Sequence, residues 1–132
     1  MLYVVTGGNA KQRKVIETAM LYVIQLLNIP NDVFIDIELC KMDVKGGVME
    51  IGKRRFHMEI NKQESFAEIA YTVFHEMKHV EQIANKVLVY TYRDIKWKGE
   101  DHTTTEYFKR PWEVEAYKFE RNADLMLKRI GA

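Results

Sequence analysis

The segment covering residues 64–86 constrains the fold most, because it predicts one long helix with a single apolar face. Ser65 has the character of a helix N-cap, and Glu68 three positions later supplies the other half of a capping box. The apolar residues recur every three or four positions, at Phe66, Ile69, Ala70, Val73, Met77, Val80 and Ala84. A helix with one apolar stripe must bury it against a sheet or other helices, so a packed domain is expected around it.

The remaining elements are read from the periodicity of the apolar residues. Alternation or short apolar runs predict strands, and a spacing of three to four predicts helices. Strands are expected at residues 2–6, 33–39, 48–51, 55–60, 87–92 and 94–98, and further helices at 10–28 and from Pro111 to about residue 130. Together they predict a single α+β domain over residues 1–132, with one meandering, mostly antiparallel sheet packed with three helices.

Composition narrows the classes of protein that this chain can be. Twenty basic and nineteen acidic residues give a net charge of +1, which argues against a chain that coats nucleic acid or docks on anionic lipid. The richest apolar stretch, residues 19–29, is interrupted by Gln25 and Asn28 and is too short to span a bilayer. Cys40 is the only cysteine, so no intramolecular disulfide can form, and it is expected to be a buried strand residue. A protein of the reducing cytoplasm, without a signal peptide, is therefore expected.

The sharpest chemical signal is His75-Glu76-Met77-Lys78-His79, which lies on the long helix. Histidines four positions apart stand one turn apart on the same face, where both can bind one metal ion. At about 100° per residue they lie roughly opposite the Val73 and Val80 stripe. Glu76 sits beside that face and can reach a water on the metal. The alternative is a pair of surface histidines with solvent or capping contacts, but the pattern favours a metal site in a covered cleft.

A catalytic zinc ion needs a third protein ligand and leaves its fourth position to water. Cys40 lies on an earlier strand and His102 lies in a predicted turn, so neither is well placed. The carboxylates of the last helix, Glu113 and Glu115, are better placed. They flank the apolar stripe of that helix on opposite sides, so helical phase alone leaves both open.

The motifs on the two predicted helices together resemble the pattern of a known family. An HExxH helix, a hairpin-like insert and a second helix with Glu-x-x-Ala resemble the minimal gluzincin pattern. The arrangement is similar to ImmA/IrrE-type and SprT-like metallopeptidases and to small zincin-like proteins encoded by phages. His75-Glu76-x-x-His79-x-x-Gln82 also matches the HExxHxxQ variant of several zincin-like families. The resemblance covers residues 64–123 and implies a zincin-like domain with one Zn²⁺ per chain, held by His75, His79 and a glutamate.

The resemblance also selects among the glutamates. In its pattern the ligand precedes a small alanine by three positions, which points to Glu113 with Ala116 and leaves Glu115 as the second choice. Related families often carry Asp or Asn four residues after the ligand, where this chain has Tyr117. The partners that orient the two histidines are then expected among Gln82, Glu68 and Asp124.

The segment between the two helices is expected to pass over or beside the metal. Tyr107, His102 and Arg110 are therefore candidate catalytic residues that would donate to an oxyanion. One of the strands that precede the long helix, with residues 55–60 as the first choice, is expected to pair with an extended substrate by strand addition.

The resemblance thus implies a zinc-dependent metallopeptidase, a hydrolase of peptide or protein substrates with Glu76 as general base. The same ligands also suit Fe(II), Mn(II) or Co(II). Two alternatives stay open: a phage or bacterial interaction module of zincin fold with little or no catalysis, and an SprT-like nucleic-acid-associated protein with a metal site. The near-neutral charge weighs against the second.

Overall fold

The computed structural model describes residues 1–131 and has the α+β composition that the sequence predicts. Its first half contains β1 (Leu2–Gly7), α1 (Ala10–Leu26), β2 (Phe34–Cys40), β3 (Gly46–Gly52), β4 (Arg55–Asn61) and α2 (Phe66–Ala84). Its second half contains β5 (Leu88–Tyr90), β6 (Ile95–Trp97), β7 (Glu100–Asp101), a 3-10 turn (Tyr107–Lys109), α3 (Pro111–Glu120) and α4 (Ala123–Arg129).

The main sheet has four strands in the order β1-β2-β4-β3. The β1/β2 and β2/β4 pairs are parallel, and only β3 and β4 pair antiparallel. The prediction of one meandering, mostly antiparallel sheet is therefore wrong. The connections between the strands explain the difference. Helix α1 returns the chain to the start of the sheet, so β2 runs parallel to β1. The chain then forms β3 at the far edge and turns back, so that β4 lies between β2 and β3.

The segment after α2 forms a second, separate sheet in which β5, β6 and β7 pair antiparallel. It has its own small apolar cluster of Leu88, Trp97 and Trp112, distinct from the main core. Because Trp112 is fully buried at the start of α3, this cluster anchors α3 beside α2.

The predicted third helix is divided in two. Arg121 and Asn122 separate α3 from α4, and the Asn122 side chain donates to the carbonyl of Phe119 at the break. The apolar stripe continues across the break, since Ala123 and Leu127 are buried in the main core. Trp112 at the start of α3 thus lies in the small cluster, while α4 packs into the main core. Among the helices of residues 1–131, none is long and apolar enough to cross a membrane.

The start of α2 differs in one detail from the predicted capping box. The Ser65 hydroxyl accepts from the backbone N–H of Glu68 at 3.1 Å, as expected of an N-cap. The Glu68 carboxylate does not close the box, because it pairs with Lys45 Nζ at 2.9 Å.

The edge strand β3 lies close to α2, and a glycine makes that approach possible. A Cβ atom on Gly46 would lie 2.6 Å from the Thr72 side chain and 2.7 Å from the Glu59 carbonyl oxygen. Only glycine fits there without a shift of the backbone. The strand therefore borders the face of α2 that carries the histidines.

Candidate metal centre

The two histidines of α2 lie where the helical spacing predicts, one turn apart and turned toward α3. His75 and His79 are 9% and 7% exposed, and their ring centroids are 4.9 Å apart. One ligand atom from each ring and a carboxylate oxygen of Glu76 lie within 4.8 Å of one another. These three residues form a candidate metal-binding group on the middle helix of the fold.

The carboxylate of Glu113 on α3 faces both imidazoles. His75 Nε2 donates to Glu113 Oε1 at 3.0 Å, and His79 Nε2 donates to the same oxygen at 3.1 Å. Glu115 points elsewhere: its carboxylate accepts from Gln82 Nε2 at 3.0 Å and lies 3.6 Å from Lys78 Nζ. Of the two glutamates that helical phase left open, Glu113 is therefore the one that meets the histidines.

The second nitrogen of each ring is also held. His79 Nδ1 donates to Gln82 Oε1 at 2.8 Å, and His75 Nδ1 donates to Glu120 Oε1 at 2.9 Å. Such outer partners fix the rotation and tautomer of an imidazole and aim its other nitrogen at a shared point. Both Nε2 atoms are thus directed toward Glu113.

Of the three predicted orienting residues, Gln82 contacts a histidine and the other two have different partners. Glu68 pairs with Lys45, and Asp124 accepts from the Tyr71 hydroxyl. Glu120 was missed by the sequence reasoning. Its signal was present, because it lies seven positions after Glu113, two turns along the same face of the helix.

These contacts shift the pKa values of both histidines and of Glu113. Burial disfavours the charged form of His75, but its hydrogen bonds to Glu113 and Glu120 outweigh burial and raise its pKa to about 9. The pKa of His79 is also raised, because its bond to Glu113 and the nearby charge of Glu76 outweigh burial. Burial would raise the pKa of Glu113, but the two imidazole bonds lower it to about 2. With both imidazoles protonated and Glu113 ionised, the three groups together carry a net positive charge. A divalent cation that bound here would displace the protons from both rings and leave the same net charge.

Glu76 has a buried carboxylate oxygen that no other described residue satisfies, and this fits a metal site. It is 7% exposed, and within residues 1–131 its Oε2 has no hydrogen-bond partner. Burial raises its pKa, against the lowering effect of the neighbouring His79 and His75. A buried carboxylate oxygen without a partner is costly unless a ligand or water satisfies it. A donor set of two imidazoles and one carboxylate beside such an oxygen fits a divalent metal ion.

Two neighbouring cavities open onto this group. The larger, about 690 Å³, lies between β3, the end of α2 and β5, and includes His79 and Glu113 in its wall. The smaller, about 320 Å³, reaches His75, Tyr117 and Glu120. Glu76 lines both, so the two cavities adjoin beside the histidines, and together they are called the cleft below.

Tyr107 is the one predicted oxyanion donor that lines the cleft, where it borders both cavities. Its hydroxyl is 3.3 Å from that of Tyr117, and burial together with this hydrogen bond raises its pKa. The Tyr117 ring stands edge-on to the His75 ring at a centroid distance of 4.5 Å. Tyr117 therefore packs against the histidine whose Nδ1 is hydrogen-bonded to Glu120.

His102 and Arg110 lie outside the walls of these two cavities. His102 Nδ1 pairs with the Thr105 hydroxyl at 3.1 Å, and its ring stands edge-on to Trp112. Arg110 Nε donates to the Thr105 carbonyl at 3.0 Å, and its guanidinium lies over the rings of Tyr107 and Trp112. Both side chains brace the segment that enters α3, and their catalytic roles stay predictions.

The strand expected to pair with substrate is not available for pairing. That strand is β4, which lies between β2 and β3 with both edges bonded. The prediction is wrong because strand order cannot be read from alternation. The free edge that borders the larger cavity belongs to β3, through Gly46, Gly47, Val48, Met49 and Glu50.

Compared with protein-family models, curated proteins and solved structures, this chain matches none of them. Its functional interpretation therefore rests on the contacts of its own residues. Those contacts define a candidate metal site on α2, completed by groups from α3.

Removing the orienting carboxylate tests this arrangement. We expect Glu120→Ala to weaken zinc binding by about 10–100-fold, because His75 loses the partner that aims its Nε2. Competition against a chromophoric zinc chelator measures the affinity. Glu115→Ala is the matched control on the same helix, since the Glu115 carboxylate contacts neither histidine. Equal affinities for the two variants would contradict an orienting role of Glu120.

Proposed function

We propose that this chain is a zinc-dependent metallopeptidase of the gluzincin type, with His75, His79 and Glu113 as metal ligands. The observation that carries the proposal is the convergence of both Nε2 atoms on one Glu113 oxygen, at 3.0 and 3.1 Å. Three protein ligands of this kind leave one position open, which is the arrangement of catalytic rather than structural zinc.

Zinc bound there supplies Lewis acidity and lowers the pKa of water toward neutrality. Glu76 is the general base in this proposal: its side chain lines both cavities, and its buried Oε2 has no hydrogen-bond partner in the described chain. It accepts the proton of the attacking water and returns it to the leaving amine. Tyr107 borders the cleft with a hydroxyl that stays protonated, and it donates to the oxygen of the scissile carbonyl.

The shape of the cleft supports a peptide substrate in this proposal. The unpaired edge of β3 offers backbone groups to an extended chain, so a peptide or unfolded protein segment can add to the sheet there. Val48, Ile83 and Leu88 give the larger cavity apolar walls for a substrate side chain. Peptide binding along β3 places a carbonyl near Glu76.

Metal removal tests the proposal. We expect the zinc-loaded protein to cleave members of a peptide library, to lose all cleavage in a chelator, and to regain it with zinc. Mass spectrometry identifies the products, and His79→Ala serves as the inactive control. Recovery with Fe(II), Mn(II) or Co(II) in place of zinc would reassign the metal. Cleavage that persists in chelator, or no cleavage by fully loaded protein, would contradict a metallopeptidase.

A further inference from the structure

Two sheet edges border the larger cavity, one from each sheet of the fold. β3 is an outer strand of the four-stranded sheet, and β5 is an outer strand of the small sheet. Residues 46–50 of β3 and all three residues of β5 line this cavity as unbroken runs. Successive side chains of a strand point to opposite faces, so a wall that includes every residue of a run is formed by the edge of the strand. Both edges are therefore turned toward the same space.

The register of β3 shows which of its backbone groups are unpaired. Bonded pairs alternate with non-bonded pairs along an antiparallel ladder. The Asn61 N–H donates to the Lys45 carbonyl at 2.9 Å, so the odd-numbered residues of this segment are the ones that bond to β4. Residues 46, 48 and 50 therefore direct their N–H and C=O groups away from β4, toward the cavity.

The same reasoning applies to β5. The Lys98 N–H donates to the Val87 carbonyl at 2.8 Å, and the Thr91 N–H donates to the Asp94 carbonyl at 2.9 Å. Residues 87, 89 and 91 are thus the ones that bond across this hairpin. Leu88 and Tyr90 direct their N–H and C=O groups to the other side, which is the free edge of the small sheet.

The candidate metal group lies where the two cavities adjoin. Glu76 lines both, His79 lines the larger one and His75 lines the smaller one. Only β3 continues past this point: residues 44–46 line the smaller cavity, and no residue of β5 does. A chain that passes the metal group therefore has two strand edges beside it on one side of the metal and one edge on the other.

The composition of both edges leaves their backbones accessible. Exposed edges are commonly protected by lysine or proline, and residues 46–49 and 88–90 contain neither. Packing does not require the glycine at position 47, because a Cβ on Gly47 would meet nothing within 4 Å and its φ is not positive. Glycine inside a strand often marks the close approach of another backbone.

We propose that the substrate binds as an extended strand between β3 and β5, bonded to both edges on one side of the scissile bond and to the β3 edge alone on the other. This inference rests on the proposed peptidase function and adds to it the way in which the substrate is held. Successive residues of an extended strand direct their N–H and C=O groups to opposite sides. A peptide at a single edge bonds through every second residue, whereas a peptide between two edges bonds through every residue.

An N-methyl scan of a cleaved peptide tests two-edge binding. Each peptide of the scan lacks one N–H, and the scissile bond itself is left unmodified. We expect kcat/KM to fall at least about fivefold at each of three consecutive residues on one side of the scissile bond, matching the length of β5. On the other side we expect a loss only at every second residue. That side is the matched control for the conformational effect of N-methylation.

Tyr90→Pro tests the contribution of β5 from the side of the protein. It removes an N–H that faces the cavity and no bond to β6, and an edge strand accepts proline at such a position. Tyr90→Ala is the matched control, because it removes the side chain and keeps the N–H. We expect kcat/KM for Tyr90→Pro to lie about 2–10-fold below that for Tyr90→Ala, with equal zinc content. Equal rates for the two variants would contradict pairing with β5.

Binding of the same peptides to zinc-loaded Glu76→Gln, followed by fluorescence anisotropy, separates this inference from the proposed function. Sensitivity at every second residue on both sides, with normal cleavage by the intact chain, would overturn two-edge binding and leave the peptidase in place. Sensitivity at consecutive residues in binding, without cleavage by the intact chain, would support two-edge binding and contradict the peptidase. A chain that neither binds nor cleaves any peptide of the library would overturn both.

Discussion

Glu76→Gln is expected to lower kcat/KM for peptide cleavage by about 10²–10⁴-fold while leaving the zinc content unchanged. The amide has nearly the same shape as the carboxylate but cannot accept a proton from water. Glu76 itself contacts neither Glu113 nor the orienting residues, so the ligand set should stay in place. Initial rates on the best library peptide, together with metal analysis of the same sample, measure both quantities.

The stability of this variant should not fall. Glu76 is 7% exposed with one unpartnered oxygen, and burial raises its pKa, so its charged form is costly in the folded chain. Replacing a buried charge with a neutral isostere removes that cost. Thermal unfolding should therefore give an unchanged or higher Tm.

The matched control is Glu81→Gln on the same helix. Glu81 pairs with Lys78 at 2.6 Å and lies outside both cavities, so its change should leave cleavage within about twofold. A Glu76→Gln variant with unimpaired turnover would contradict the role of Glu76 as base. If cleavage disappeared only together with the zinc, Glu76 would instead be needed for metal binding.

Glu113→Ala is expected to abolish zinc binding, and Glu115→Ala is expected to retain it. Glu113 Oε1 is the atom on which both imidazoles converge, and its loss leaves two of the three proposed ligands. The drop in affinity should exceed the about 10–100-fold expected for an outer partner such as Glu120. Metal content after dialysis in metal-free buffer measures the difference.

The pair of variants is well matched, because both remove a carboxylate from α3 two positions apart. Each deletes the same atoms, and Glu115 keeps only contacts to Gln82 and Lys78. Loss of zinc from both variants would mean that α3 as a whole, rather than Glu113, supports the site. Zinc retained by both would remove Glu113 from the ligand set.

Much of the candidate site was predictable from local rules. The four-residue spacing of His75 and His79 places them on one helical face whatever the helix packs against, and the apolar stripe of α2 decides that this face is turned away from the main core. Gln82 follows on the same side. The buried pair and its Gln82 contact are therefore consequences of helical geometry.

The choice between Glu113 and Glu115 needed long-range packing. Trp112 fills the small cluster with Leu88 and Trp97, and Gln82 Nε2 donates to the Trp112 carbonyl at 3.2 Å. These contacts set the rotation of α3 against α2. Neither depends on the helical phase of α3 alone, so the phase of that helix could not rank the two glutamates.

Strand order was also beyond local reasoning. Alternation along β2 and β4 correctly predicts which residues face the core, since side chains alternate on every strand. Alternation does not show which strands are adjacent in the sheet. The substrate strand was therefore predicted at residues 55–60, which form the interior strand β4 rather than the edge strand β3. The contact of Cys40 Sγ with Glu59 Oε2, at 3.7 Å across β2 and β4, is a product of that same parallel pairing. Cys40 is half-buried there, so the expectation that it is a buried strand residue is wrong.

The sequence by itself determined the helices, the core-facing residues and the histidine pair, because each depends on periods of two or about 3.6 residues along one segment. Only the tertiary structure decided the parallel sheet, the break between α3 and α4, and the meeting of His75 and His79 with Glu113 and Glu120. The site contacts join residues 34 to 45 positions apart, and the sheet pairs strands that are distant in the chain, so packing and not local periodicity sets their geometry.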